Sequence, residues 1–380
     1  MIQRDRLVEQ FLKLVQIDSE SGFEQEISRE LQVIFRQLGL HVIEDDTAIL
    51  TGHGSGNLCC TLAANSENKD ILPIFFTCHM DTVAPGKGIK PRIGEDGIIR
   101  SDGTTILASD DKAGIAALIE AIQVIQEQQM MHGLIQLVIT VGEEAGLKGA
   151  RAMHRDQIKA ELGYALDSNG EIGHIVTVAP GRAEISITFF GKSAHGGVNP
   201  EDGISAIQIA SKAVSRMPLG RIDADTTANI GSFSGIGPLN VVCDKVVIKA
   251  EARSVSAQKL EAQIEAMRQS CKEATLHLGT TFEFSSQVLY HAYHHSDTAP
   301  VVQLAIGAIA SLGLSAVTCH SGGGSDAHIF NGLGIPTVNL AIGYRDIHTV
   351  REHIAVSDLI KATELVVAIV QSAAKSVLHV

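Results

Sequence analysis

The sequence contains no tryptophan, and aromatic residues make up 4% of its 380 positions. A stacking platform for bases or sugars is therefore not expected. Basic residues are also scarce: 30 Lys and Arg stand against 43 Asp and Glu, for a net charge of −13. Phosphate binding wants a basic surface, so nucleic acid is excluded as a main partner. No apolar run is long enough for a membrane span. The opening stretch MIQRDRLVEQFLKLVQ carries charges throughout and no small-residue cleavage site. It reads as an amphipathic helix rather than a signal peptide. No CxxC pair occurs among the six cysteines, Cys59, Cys60, Cys78, Cys243, Cys271 and Cys319. Reduced, buried thiols in a cytoplasmic protein, with no membrane partner, are the expectation.

What is present is an ordinary globular composition, 45% hydrophobic, in a chain too long for one core. Helices are predicted up to residue 40, broken at SESGFEQE and resuming over 24–38, then strands at 41–50, 57–64 and 71–83. SDDKAGIAALIEAIQVIQEQ (109–128) opens with acids, which suit the start of a helix. Strands at 134–141 and 161–168 complete an alternation typical of α/β proteins. The texture changes near 180. RAEISITFFGKSAH has the partial alternation of a sheet with one solvated face. A helix at 201–216, strands at 227–235 and 241–254, a helix at 257–278 and a strand at 281–293 follow. This β-α-β-β-α-β order matches a ferredoxin-like unit. A helix at 299–312, a strand at 336–343 and a helix at 356–376 return to the first texture. The expected architecture is an α/β domain, residues 1–179 and 296–380, with an α+β ferredoxin-like domain inserted at 180–295. Hinges are expected near 178–182 and 294–298.

The polar residues of the α/β part sit at element ends. His79 and Asp81 follow one strand, and Asp110 and Asp111 open a helix. Glu143 and Glu144 end the next strand, Asp167 another, and His348 follows the strand at 336–343. Ligands of open α/β sheets collect at the carboxyl ends of strands. Two adjacent acids repel, and burial sharpens the repulsion, so a cation is the natural partner of Glu143 and Glu144. His with Asp and Glu, without thiolate, suits Zn²⁺, Mn²⁺ or Co²⁺. The count suffices for two ions, which together can activate a water and polarise a carbonyl. One of the two glutamates would then bind metal and the other move the proton.

These segments, HMDTV (79–83), GTTILASDDKAG (103–114), GEEAGLKGA (142–150), ALDS (165–168), GKSAHGG (191–197) and IHTVRE (347–352), resemble those of the M20 metallopeptidases, the co-catalytic zinc aminoacylase/carboxypeptidase superfamily. Within it the chain looks closest to peptidase T-like tripeptidases. The resemblance spans essentially the whole chain and implies a zinc-exopeptidase-like catalytic domain with an inserted lid and dimerisation domain. It implies that Asp110 bridges two metals, zinc being the family expectation, that His79 and Asp167 complete one site, and that Glu144 and His348 complete the other. Glu143 is implied as general base. Asp81 is implied to bond the far ring nitrogen of His79. A cis peptide is implied after Asp110. In the inserted domain, His195 matches the position that stabilises the oxyanion, reaching the site from a partner subunit in dimeric relatives. Asn229 and Arg253 match substrate-binding positions, and Gly323 lies in SGGGSDAH (321–328), which matches a loop lining the cleft.

The implied activity is hydrolysis of short peptides, tripeptides from the amino end, by a homodimer. An aminoacylase, a carboxypeptidase or another amidohydrolase shares the same ligand set, and a catalytically silent peptide-binding protein is the reading from a different class. SDDKAG, in place of the more usual Asp-Met-Lys-Gly form, favours the tripeptidase branch, whereas Leu147 adds a residue between the glycines of GEEAGLKGA. YHAYHH (290–295) reads as an exposed junction rather than a further metal site, and Cys78 as a packed strand residue. Ser193 near His195 lacks the GxSxG elbow of a serine nucleophile.

Overall fold

Two short runs, Ile74–His79 and Ile135–Thr140, are buried at every position. Side chains alternate across a strand, so burial of both sets means that both faces of the sheet are covered. In the computed structural model, which describes all residues except 67, 69, 70, 277, 278 and 376–380, that is the arrangement. The chain divides into two compact units. One comprises residues 1–177, 295–321 and 325–380; the other comprises 178–294 and 322–324.

In the first unit the strands lie in the order His41–Glu44, Leu58–Leu62, Ile135–Thr140, Ile74–His79, Leu162–Ser168, Thr337–Ala341 and His174–Ala179, the last running on into the second unit. Strands Ile74–His79, Ile135–Thr140, Leu162–Ser168 and Thr337–Ala341 are mutually parallel. Their carboxyl ends therefore share one edge. Helix Ser109–Glu127 is buried almost all round. It packs on the sheet and against Arg4–Val15 and Val356–Lys375. Ile74, Phe76, Leu137 and Ile139 join this large core. Phe75 and Val138, on the opposite face, join a smaller one with Phe330 and Ile335.

The second unit is a five-stranded antiparallel sheet with Gly181–Phe190 between Lys245–Ser254 and Phe282–Tyr290. Thr226–Ser234 pairs with Lys245–Ser254 on its far side. Without the two-residue edge strand, this is the ferredoxin-like order. Helices Ala206–Val214 and Ala257–Thr275 pack on one face. Arg182, Asn229, Lys249 and Glu251 line a hollow on the sheet.

Some boundaries differ from the sequence pattern. The strand expected over 41–50 stops at Glu44, and Thr47–Thr51 is a short helix. Asp45 explains this: its carboxylate accepts the Thr47 and Asn57 N–H groups at 3.0 and 2.8 Å, turning the chain. Strand His174–Ala179 was not anticipated as a separate element. Of the helices expected over 257–278 and 356–376, residues 277, 278 and 376 lie outside the described residues. Among the described residues, no helix is long and apolar enough to cross a membrane.

Candidate metal centre

Four strand ends and one helix start deliver the acidic and imidazole groups to the common edge. Asp110 is the pivot. Its Oδ1 lies 3.0 Å from His79 Nε2, and its Oδ2 lies 3.3 Å from His348 Nε2. Asp167 Oδ1 stands 3.7 Å from His79 Nε2, and Glu144 Oε1 stands 2.8 Å from His348 Nε2. Each oxygen of Asp110 thus faces its own imidazole, and each imidazole has a second carboxylate. Ligands held about 2.0–2.1 Å from a tetrahedral ion are separated from one another by roughly 3.3 Å. The observed spacings bracket that value, and His79 with Asp110 and Glu144, and His79 with Asp111 and Asp167, each bring their donor atoms close enough to share a cation.

The tautomer of His79 agrees. Its Nδ1–H donates to the Asp81 main-chain carbonyl at 2.9 Å, a group that can only accept. Nε2 is left facing Asp110 and Asp167, and it is the nitrogen through which the neutral ring would hold a metal. The Asp81 carboxylate stands 3.5 Å from the same ring nitrogen. It is engaged elsewhere: it accepts the Glu143 N–H at 2.9 Å, the Glu144 N–H at 3.2 Å and the Ser21 hydroxyl at 2.5 Å. The ring is therefore oriented by main chain, and the carboxylate shapes the Glu143–Glu144 turn. Gly142 opens this turn at φ 58, with the His53 ring packed where a side chain would project.

Electrostatics show a centre short of positive charge. Burial, with the neighbouring charges of Asp110 and Glu144, pushes Asp167 up to about 6. Burial and the charges of Asp167, Asp326 and Glu144 push Glu143 well above the carboxylate range. Burial would pull His79 down, but its hydrogen bonds to Asp110, Asp167 and Asp81 carry it well above its usual value. Bonds to Asp110 and Glu144 raise His348 to about 10. Acids pressed toward neutrality beside imidazoles pressed toward charge are what divalent cations would relieve. Asp111 Oδ1, buried and without a hydrogen-bond partner, belongs to the same acidic cluster. By spacing alone Asp111 could replace Asp110 beside His79 and Asp167. Its Oδ2, however, already accepts the His79 N–H at 3.2 Å, whereas both Asp110 oxygens face imidazoles. The Asp110–Asp111 peptide is cis. Burial raises the Cys78 thiol well above its usual value, as befits a packed strand residue.

His79, Asp81, Asp110, Glu143, Glu144, Asp167 and His348 thus gather in the first unit. His195, Asn229, Arg253 and Gly323 belong to the second. There, His195 is exposed, and its Nδ1 accepts the Gly197 and Val198 N–H groups, both at 3.1 Å. Its Nε2 therefore carries the proton and is a donor. Arg253 grips Glu251 and donates to the Gly322 carbonyl at 3.1 Å. Asn229 is exposed on its strand.

Sequence reasoning missed several supporting groups. Asn339 pairs with the Asp167 main chain through both ends of its amide, at 3.0 and 2.6 Å. Tyr344 donates to Asp167 Oδ1 at 3.1 Å. Asp326, pushed up by burial to about 7, accepts the Thr140 hydroxyl at 2.5 Å. A lone Asn inside the apolar run PTVNLAIG was the one visible signal.

A parallel-sheet domain with this His-carboxylate edge and an inserted ferredoxin-like unit defines a metallopeptidase class. The model of peptidase family M20/M25/M40 matches residues 75–372, and the chain belongs to this family of peptidases. It is 52% identical to the uncharacterised protein YqjE of Bacillus subtilis over 375 residues, 99% of this chain and 100% of that protein. Aminopeptidase PepT from Bacillus cereus has the same fold, with a TM-score of 0.91 and 51% identity over 98% of this chain and 99% of its own. A tripeptidase from Staphylococcus aureus gives a TM-score of 0.95 and 44% identity over 99% of this chain and 100% of its own.

Proposed function

We propose that the protein is a two-metal exopeptidase that cleaves free tripeptides from the amino end. The observation that carries this reading is the split use of Asp110, one oxygen toward His79 and the other toward His348. The likeness to an aminopeptidase and to a tripeptidase supports the substrate class. Zn²⁺, Mn²⁺ and Co²⁺ all suit these N/O donors, with Zn²⁺ the family expectation.

His79 and Asp167 would hold one ion, Glu144 and His348 the other, and Asp110 both. When bound, the pair supplies an activated water and a polarised scissile carbonyl. Glu143 takes a proton from the attacking water and returns it to the leaving amine. Asp81 keeps Glu143 in place through its amide. His195 donates its Nε2–H to the developing oxyanion. Arg253, Asn229 and Gly323 would contact the substrate backbone or carboxylate. The six cysteines are free thiols, which supports a cytoplasmic setting.

The test is a panel of di-, tri- and tetrapeptides, an N-blocked tripeptide and an N-acetyl amino acid, run on ion-free protein restored with each metal. Turnover confined to free tripeptides is the expected result. Preferred cleavage of the blocked substrates would move the activity to the aminoacylase or carboxypeptidase side.

The reading includes a homodimer formed through the second unit. The His195 loop is bridged to Val241, and Val198, Ile236 and Leu239 nearby in sequence are 76%, 91% and 106% exposed. Where such exposed apolar side chains form one contiguous patch, they mark an interaction surface. If His195 acts in the partner's site, mixing His195→Ala with Glu143→Gln protein should restore activity that neither has alone. Full activity of a monomer in sedimentation and dilution assays would refute this.

A further inference from the structure

Glu352 lies four residues beyond His348 and is 1% exposed. Its carboxylate accepts four hydrogen bonds, all from residues 107–110. Oε2 takes the N–H groups of Leu107 and Ala108, at 2.8 and 2.9 Å. Oε1 takes the Ser109 hydroxyl at 2.6 Å and the Asp110 N–H at 3.0 Å.

The stretch that receives this carboxylate cannot satisfy itself. Ala108 is left-handed, at φ 62, and Asp110 and Asp111 depart from helical geometry. Buried N–H groups outside a helix or sheet must find another partner, and here that partner is one remote side chain. An alanine at positive φ persists only where its surroundings over-determine it. The other end of the tie is equally irregular. Asp346 and His348 have φ 52 and 61. Their turn is closed by paired Arg345 and His353 main-chain bonds at 2.9 and 3.1 Å, and by the Glu352 N–H on the Thr349 carbonyl at 3.1 Å. Glu352 thus stands at the foot of the turn that carries His348 and grips the strand of chain that carries Asp110. A carboxylate here adds negative charge beside an already acidic centre. An apolar side chain would avoid that cost but could not serve four donors, whereas an ionised carboxylate has acceptor sites for all of them.

We infer that Glu352 is a positioning residue that holds Asp110 and His348 at the spacing accepting the ion they share, and so sets the affinity for that ion. This rests on the two-ion reading given above. The group never touches the ion; it acts through the main chain of 107–110 and the turn of His348.

The test compares wild type with Glu352→Gln, which keeps the shape but turns an NH₂ group toward two donors. Ser109→Ala removes a single bond and serves where the glutamine variant does not fold. Leu359→Ala, a core change that removes none of these four bonds, is the control for lost stability. Two quantities are read: ions bound per chain with their dissociation constants, by equilibrium dialysis against Zn²⁺ or Mn²⁺, and hydrogen exchange of the 107–110 amides in ion-free protein. Glu352→Gln should weaken the second ion by about 10–100-fold, the range for groups that orient metal ligands. Its 107–110 amides should exchange faster, with Ser109→Ala falling between and Leu359→Ala leaving both readings at wild type. Unchanged exchange and affinity in Glu352→Gln, or an equal loss in Leu359→Ala, overturns the positioning role. The exchange reading needs no ion. A wild-type count of one ion with faster exchange in the variant would sink the two-ion reading and leave the tie standing.

Discussion

Glu143→Gln is expected to lower kcat by roughly 10²–10⁴-fold, the usual contribution of a general acid–base group, with ion content unchanged. Two features separate Glu143 from its neighbour. Glu144 reaches His348 at 2.8 Å and belongs to a group of side chains close enough to share a cation. Glu143 belongs to neither such group. It is buried, and burial with the charges of Asp167, Asp326 and Glu144 favours its protonated form more than in an ordinary carboxyl. A base that holds a proton readily can also hand it on. Glutamine keeps the volume and removes the proton-accepting oxygen. Measured kcat and metal analysis on the same sample check this; a variant turning over within about tenfold of wild type, or one that loses an ion, would contradict the assignment.

Asp110→Ala is expected to cost more, because one side chain serves both positions. Removing Glu144 or His348 should weaken one ion. Removing Asp110 takes an oxygen from each, leaving His79 with Asp167 and His348 with Glu144. Hydrolysis should fall below that of Glu143→Gln, and ion content should fall below one per chain under conditions that saturate wild type. Retention of both ions would show that another group bridges them. Asp111, buried against His79 and Asp167, is the neighbour best placed to do so.

Much of this site was readable because parallel strands put sequence-distant ends together. HMDTV, GEEAG and ALDS each mark a strand surfacing, and the parallel register brings those ends to one edge. The ferredoxin-like unit was readable from the alternation of RAEISITFF, whose buried positions all face one core. What escaped was the set of long-range hydrogen bonds. Nothing in YRDIHTVRE says that its one glutamate serves four donors some 242–245 positions earlier. Nothing in HMD says that the aspartate's carboxylate goes to two amides of another loop while its carbonyl orients the histidine. The helix at Thr47–Thr51 escaped for a related reason: Asp45 is turned by Asn57, the residue just before the next strand. Patterning predicts which residues face a core, but not which buried polar group will satisfy which donor.

The central claim is that two cations share Asp110. The most direct measurement is stepwise titration of ion-free wild-type protein with Zn²⁺ or Mn²⁺, with bound ions counted per chain and hydrolysis of a free tripeptide followed at each step. Two ions per chain, with full activity reached only as the second is bound, is the result this account predicts. Full activity at one ion per chain, or activity that survives complete removal of metal, would contradict it.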